Sequence, residues 1–397
     1  MDKWLIIPIL VTIGLGQLIR WPIAGVSIPA IDLVVVVVVL IGGVMLLKNR
    51  SMTIPRPLMI GWFVLMVVFA VSWIVNLSVL GARDGLVAFL FLARFVGYGL
   101  LPFVLWPHLS SRRLGGYSSW LLMLFVWVAV LGWVQLGLFP DLQLFEYLGW
   151  DPHSGRLVST FLDPNLVGIF LSFGVGLGVI AWGEATTRRD KIMATIIAVF
   201  LIISVLATFS RSALLSLVIV LLMVGWMRYR KAVGVGLMVV AVMFMFVPRL
   251  QDRLAGVWQL DTTARYRIAS WQDGWELVKA NPVFGVGYNA VASQRYKYVP
   301  EDTEQLSRQA ENGFDSSLLT IAAASGLVGL LVWLGWVAMV LATTWHSWKI
   351  KTAVFGPMLW GITAGLLGAS LFVNAWLTAS MLVVWWLVIG LSWKEQE

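Results

Sequence analysis

Residues 30–47 read AIDLVVVVVVLIGGVMLL, eighteen residues with one charged side chain. Coiled as a helix the run is about 27 Å long, close to the thickness of a bilayer's hydrocarbon core. Comparable runs recur near 4–19, 58–76, 85–106, 118–138, 164–182, 191–208, 212–227, 232–248, 315–344, 353–373 and 376–392. Hydrophobic residues make up 60% of the 397-residue chain and charged residues only 12%, whereas soluble domains carry about a quarter charged. No aqueous core could hide that much apolar surface. The expected fold is therefore all-α: a polytopic membrane helical bundle of about twelve transmembrane helices, forming one integral membrane domain over 1–397. The first run lacks a small-residue cleavage site and is followed by Gln17 and Arg20, so it reads as a retained helix rather than a signal peptide.

Short basic loops set the orientation. With the N-terminus inside, the basic clusters at 48–56, 112–113, 188–191, 228–231 and 349–351 are cytoplasmic, and only Arg20, Arg83, Arg156 and Arg211 fall in short outer loops. An even number of spans puts both termini in the cytoplasm. The net charge of +8 then reflects cytoplasmic loops and membrane lipids, not nucleic acid. Cysteine is absent and the three histidines are scattered, which excludes thiolate chemistry and gives no metal-ligand spacing. No cofactor and no metal site is expected.

Residues 249–314 break the pattern. They contain no membrane-length apolar run and carry eight basic and eight acidic side chains. By the orientation above, this is a large extracytoplasmic loop between spans nine and ten, and loops of this length are usually functional. Within it Ile268, Trp271, Trp275 and Val278 recur at helical spacing, predicting an amphipathic helix over about 264–281 that rests on the membrane or covers an outward-facing cavity. Glycines at 174, 176 and 178 and at 361, 365 and 368 suit close helix packing. No internal repeat and no matching pair of broken helices is evident, which argues against a transporter.

Charges at or within spans are costly unless paired or hydrated, so they point to function. Arg94 lies mid-way through LFLARFVGYGLL and needs either a buried partner or a polar cavity. Arg211, with Thr208, Ser210 and Ser212, forms a tight outer turn whose guanidinium fork and hydroxyls suit phosphate oxygens, though a plain solvated hairpin reads equally well. Arg156 precedes Asp163-Pro164-Asn165, in which Asp163 fits a helix N-cap and Pro164 the first helical position. Arg265, Tyr266 and Arg267 open the loop helix, and Glu311 to Asp315 returns the chain to the membrane. Gly285-Val286-Gly287 has no preceding strand and reads as a turn, not a nucleotide site. Because nucleotide sugars and ATP are cytoplasmic, chemistry on the outer face needs a donor already activated and already across. A lipid diphosphate meets both conditions.

At these same positions the chain resembles the O-antigen ligase and O-antigen polymerase superfamily. The resemblance is carried by Arg156 with Ser159-Thr160-Phe161 and Pro164-Asn165, by Thr-x-Ser-Arg-Ser at 208–212, by the Arg-rich helix leading to Pro282, Gly285 and Gly287, by Ser-Gly-Leu-Val-Gly at 325–329, and by Ser-Leu-Phe at 370–372. It implies a helical fold similar to membrane GT-C-type glycosyltransferases, an undecaprenyl-diphosphate-linked glycan donor, a glycan or lipid-linked acceptor, and inversion at the anomeric centre without metal or nucleotide. It also implies diphosphate binding by Arg211 and by Arg265 or Arg267, with Arg156 and Arg94 as further members and Thr208, Ser210, Asp163, Asn165 and Tyr266 in support. Ligases of this kind carry a His-Asn pair about eleven residues before the Gly-Leu of the tenth span. Here that place holds Asp315-Ser316, so the base is expected to be Asp315 or Glu311, unless Asp315 is an ion-pair partner or a helix N-cap. The substitution favours a polysaccharide polymerase over a ligase. The other classes left open are a flippase or transporter for a lipid-linked or anionic solute and a non-catalytic scaffold.

Overall fold

The computed structural model describes residues 2–23, 26–48, 56–148, 152–258, 261–298, 313–350 and 352–396. In chain order these form α1 (Asp2–Leu15), β1 (Arg20–Ile23), β2 (Val26–Pro29), α2 (Ala30–Lys48), α3 (Arg56–Leu105), α4 (Leu114–Leu138), α5 (Pro164–Glu184), α6 (Arg188–Ala207), α7 (Arg211–Val224), α8 (Arg230–Phe246), α9 (Pro248–Trp258), α10 (Thr262–Ala280), a one-turn α11 (Val291–Gln294), α12 (Ser317–Thr344), α13 (Phe355–Ala369) and α14 (Ala379–Lys394). Among the described residues six helical stretches are long and apolar enough to cross a membrane, and four shorter apolar helices accompany them. Helices satisfy their own backbone in lipid, which is why long apolar runs adopt them. The small antiparallel sheet, in which Arg20 pairs with Pro29 and Trp21 with Ile28, is a departure from the all-α expectation.

The 50-residue α3 would extend about 75 Å as one rod, far beyond a bilayer. It is broken at Gly81 (φ 73°, ψ 179°). The two arms fold back on each other, with Phe69 against Phe95 at 5.5 Å and Trp62 against Phe103 at 5.7 Å between ring centroids.

At the centre lies α5. Its glycines let neighbours approach as expected: a Cβ on Gly174 would stand 2.6 Å from Phe125 Cβ on α4, and one on Gly176 2.7 Å from Val220 Cγ1 on α7. Gly365 and Gly368 of α13 meet Ser216 and Ile219 of α7 in the same way. Neighbours at 168 and 213, and at 176 and 220, show that α5 and α7 run parallel, so their N-termini share one end of the bundle.

Two glycine motifs turn out to be one joint. α12 is broken in mid-span at Gly326 (φ 71°, ψ 179°), and the chain at 282–287 fills the gap. Leu327 N–H donates to the Pro282 carbonyl (2.8 Å), Val286 N–H to Ala323 (2.9 Å) and Gly287 N–H to Ala324 (3.0 Å). Ser72 Oγ and Asn76 Nδ2 add bonds to the Ala324 and Gly285 carbonyls. Backbone groups freed by the break are thus paired again, as burial demands. A Cβ on Gly326 would stand 2.0 Å from the Val283 carbonyl oxygen, and Gly326 is also in the left-handed region. Gly326→Ala is therefore expected to cost on the order of 3 kcal/mol or more, read as a lowered thermal unfolding midpoint in detergent. Gly335→Ala, on the same helix with nothing within 4 Å of the added carbon, should be neutral or stabilising. Equal midpoints for the two variants would contradict this role of the joint.

Candidate active site

The segment 154–163 connects α4 to α5 and is tied down at several points. Ser159 Oγ donates to the Val128 carbonyl of α4 (2.7 Å), Thr160 Oγ1 to Gly14 of α1 (2.9 Å), and Gln17 N–H to the Thr160 carbonyl (2.8 Å). The Ser-Thr-Phe motif is thus a buried plug that fixes what flanks it, Arg156 and Asp163. Asp163 caps α5, accepting from the N–H groups of Asn165 (2.6 Å) and Leu166 (2.9 Å). Asn165 Oδ1 accepts from Ser210 Oγ (2.6 Å), and Ser210 in turn caps α7 by accepting from Ala213 N–H (3.2 Å). The two N-termini are latched side by side.

The start of α12 reaches the same place. Its N-cap is Ser316, which accepts from Leu319 N–H (3.2 Å), so the N-cap role considered for Asp315 belongs to the next residue. Ser316 Oγ and Ser317 N–H both donate to the Ser370 carbonyl (2.8 and 3.0 Å), which accounts for the Ser-Leu-Phe motif as a seat for α12. Asp315 is held by α10: its N–H donates to Ser270 Oγ (2.9 Å) and its carbonyl accepts from Trp271 Nε1 (3.1 Å). The Trp271 ring lies 5.7 Å from that of Phe372.

Three arginines enter this space. Arg211, at the first position of α7, pairs with Asp261, the residue that also caps α10 by accepting from Ala264 N–H (2.9 Å). Arg267 of α10 points to Ser212 Oγ (3.4 Å) and interacts electrostatically with Asp315, Arg211, Asp163 and Asp261. Arg156 Nε donates to the Thr208 carbonyl (2.8 Å). Burial, and then the like charge of Arg253, push Arg156 down to about 10, against the pull of Asp163; it stays cationic at neutral pH. Burial likewise lowers Arg267, opposed by Asp315. Asp315 is raised above the usual carboxylate value by burial, with Arg267 pulling it down and Asp163 pushing it up. A half-buried carboxylate beside guanidinium groups at helix N-termini, whose partial charge is positive, has the chemistry that anion binding next to a proton acceptor requires.

Residues 196–334 match the O-antigen ligase family. The chain carries an O-antigen ligase domain. The matched stretch begins within α6 and ends within α12, taking in the Arg211 turn, Arg267, Asp315 and the Gly285–Gly326 joint. Arg156, Asp163 and Asn165 lie before it, yet the fold delivers them to the same spot. No curated protein matches the chain.

Not every expected site residue converges. Arg94 sits elsewhere: its Nε lies 3.0 Å from Asp32 Oδ1 and donates to Tyr98 Oη (2.9 Å), while Tyr98 also bonds Asp32. That is the buried-pair alternative for an intramembrane arginine. Arg265 is exposed and Tyr266 half-buried on α10, so of the two loop arginines Arg267 is the one that reaches the cluster. Glu311 lies outside the described residues. Thr208 is fully buried, its Oγ1 donating to the Val205 carbonyl (2.6 Å); its contribution is the backbone carbonyl held by Arg156. Reasoning from sequence missed Asp261, fifty positions from Arg211, and it missed α9 with Arg249 and Arg253. The signal for α9 was present in the spacing of Leu250, Leu254 and Val257 directly after an apolar run.

Proposed function

We propose that this O-antigen ligase-family protein is an inverting, metal-independent glycosyltransferase of the bacterial inner membrane. It moves a glycan from an undecaprenyl-diphosphate-linked donor to a glycan or lipid-linked acceptor, as a surface-polysaccharide polymerase. In this reading a single twelve-span domain of GT-C-type architecture, surrounded by membrane lipids, has both termini in the cytoplasm and segment 249–314 on the outer face. One observation carries the reading: Arg156, Arg211 and Arg267 meet Asp163 and Asp315 where the N-termini of α5, α7 and α12 come together.

The chemistry follows from that arrangement. The donor's diphosphate lies against Arg211 and Arg267. An acceptor hydroxyl attacks the anomeric carbon from the face opposite the diphosphate, forming the new glycosidic C–O bond. The old anomeric C–O bond breaks and its electron pair goes to the diphosphate oxygen, while the hydroxyl proton passes to the Asp315 carboxylate. Negative charge grows on the leaving group, so fixed guanidinium groups stabilise the transition state more than the bound donor. The ion pair of Arg211 with Asp261 places a lone carboxylate in competition with a ligand of higher charge. Asp315-Ser316 in the place of the ligases' His-Asn pair favours the polymerase.

The test is to incubate the purified protein with a lipid-diphosphate oligosaccharide in the presence of a chelator and to separate the products. A ladder of lengthening glycans is expected. One shifted acceptor would make the protein a ligase, and intact donor moved to the other leaflet would overturn the enzymatic reading.

A further inference from the structure

The helix α9 carries Arg249 and Arg253 four positions apart, one turn on the same face. Arg249 is fully engaged. Its Nη1 donates to the Gly155 carbonyl (2.7 Å), its Nη2 to the Ser154 carbonyl (2.9 Å), and its guanidinium lies 4.3 Å from the centre of the Phe209 ring. These contacts fasten α9 to the residues just before Arg156 and to Phe209, the neighbour of the Thr208 carbonyl that Arg156 holds. Gly155 is needed there: its φ is +58° and a Cβ would stand 2.9 Å from Arg249 Nη1.

One turn further on, Arg253 is carried towards Arg156. It is half-buried, and among the described residues it makes no ion pair and donates no hydrogen bond, while being the strongest charge acting on Arg156. The two guanidinium groups repel, Asp163 offsets that repulsion at Arg156 only in part, and partial burial strengthens it. Across the site the arginines 156, 211, 249, 253 and 267 face the aspartates 163, 261 and 315, an excess of two positive charges. The excess is local. Arg211 is ion-paired with Asp261 and Arg267 feels the charge of Asp315, which leaves the surplus at the α9 side. A diphosphate esterified at both ends carries two negative charges.

We infer that Arg253 and Arg156 together take one phosphate group of a diphosphate between them, with Arg249 as the positioning residue that anchors α9. This rests on the proposed reading that the ligand is a lipid diphosphate. It adds a second phosphate subsite to the one at Arg211 and Arg267.

The test uses the full-length protein in nanodiscs, with farnesyl diphosphate and farnesyl monophosphate as probes and binding measured by calorimetry. The unsubstituted protein should prefer the diphosphate. Arg253→Gln should lower that preference about ten- to hundredfold, the loss of one charge-assisted bond. Its thermal midpoint should be unchanged or higher, because a repulsive charge is removed. A preference unchanged in Arg253→Gln but lost in Arg211→Gln overturns this inference alone, and so does a lowered midpoint without a change in preference. If the unsubstituted protein shows no preference for the diphosphate, the functional reading falls with it.

Discussion

Arg211→Ala is expected to reduce glycan transfer about 10²- to 10³-fold, the scale on which removal of a preorganised transition-state donor acts. Arg211→Lys should recover little of that loss, because an ammonium is a point charge and cannot present the planar fork that two phosphate oxygens accept. The removed side chain also leaves Asp261 without its cation. That carboxylate keeps its place as the cap of α10, and the double variant Arg211→Ala, Asp261→Asn separates the two effects: its stability should approach that of the unsubstituted protein while transfer stays lost. Steady-state transfer with a lipid-linked oligosaccharide, alongside thermal unfolding, reads both. Transfer restored in the double variant would mean that Arg211 serves the fold and not the reaction.

The second large effect is at Asp315. In the proposed role of acceptor of the hydroxyl proton it must be ionised, and Asp315→Asn is then expected to lower the rate about 10²- to 10⁴-fold. The sign of the pH dependence is set by its surroundings. Burial raises Asp315, so acid inactivation begins at a higher pH than an ordinary aspartate would give; activity is present above the limb and lost as pH falls through it. Arg267 pulls in the other direction, so Arg267→Gln should move the acid limb of kcat/KM to still higher pH as well as weaken donor binding. Were Asp315 only the ion-pair partner of Arg267, the Asn and Gln variants would lose activity to a similar degree and the limb would stay where it was.

Much of this architecture is legible in the residues themselves. Apolar runs longer than 17 residues leave the backbone no choice but helices, and caps such as Asp163 before Pro164 and Ser210 before Arg211 mark where they start. The interruption at Gly81 falls between the two runs 58–76 and 85–106 and is legible; the break at Gly326 is not, because a glycine in an apolar run reads as a packing site until its φ is known. Gly285-Val286-Gly287 is ambiguous for the same reason: its purpose is to lie against the backbone of α12, and nothing local announces a partner forty positions on. Arg156 and Arg211 could be picked out as charges at the margins of spans, and Arg267, together with Arg265, as a charge opening the loop helix. Their counter-ions could not. Asp261 and Asp32 lie fifty and sixty-two positions from Arg211 and Arg94, and only the register of packed helices decides which carboxylate each arginine meets and at which place in the bundle. That is why Arg94, as improbable in the sequence as Arg211, closes on Asp32 and Tyr98 away from the cluster.

A structure of the protein with undecaprenyl diphosphate bound in nanodiscs measures the essential point directly. The expected density places the two phosphate groups among Arg156, Arg211 and Arg267 at the N-termini of α5 and α7, with Asp315 free on the sugar side. Phosphate density at Arg94, or at the opposite end of the bundle with Arg211 still closed on Asp261, would contradict it.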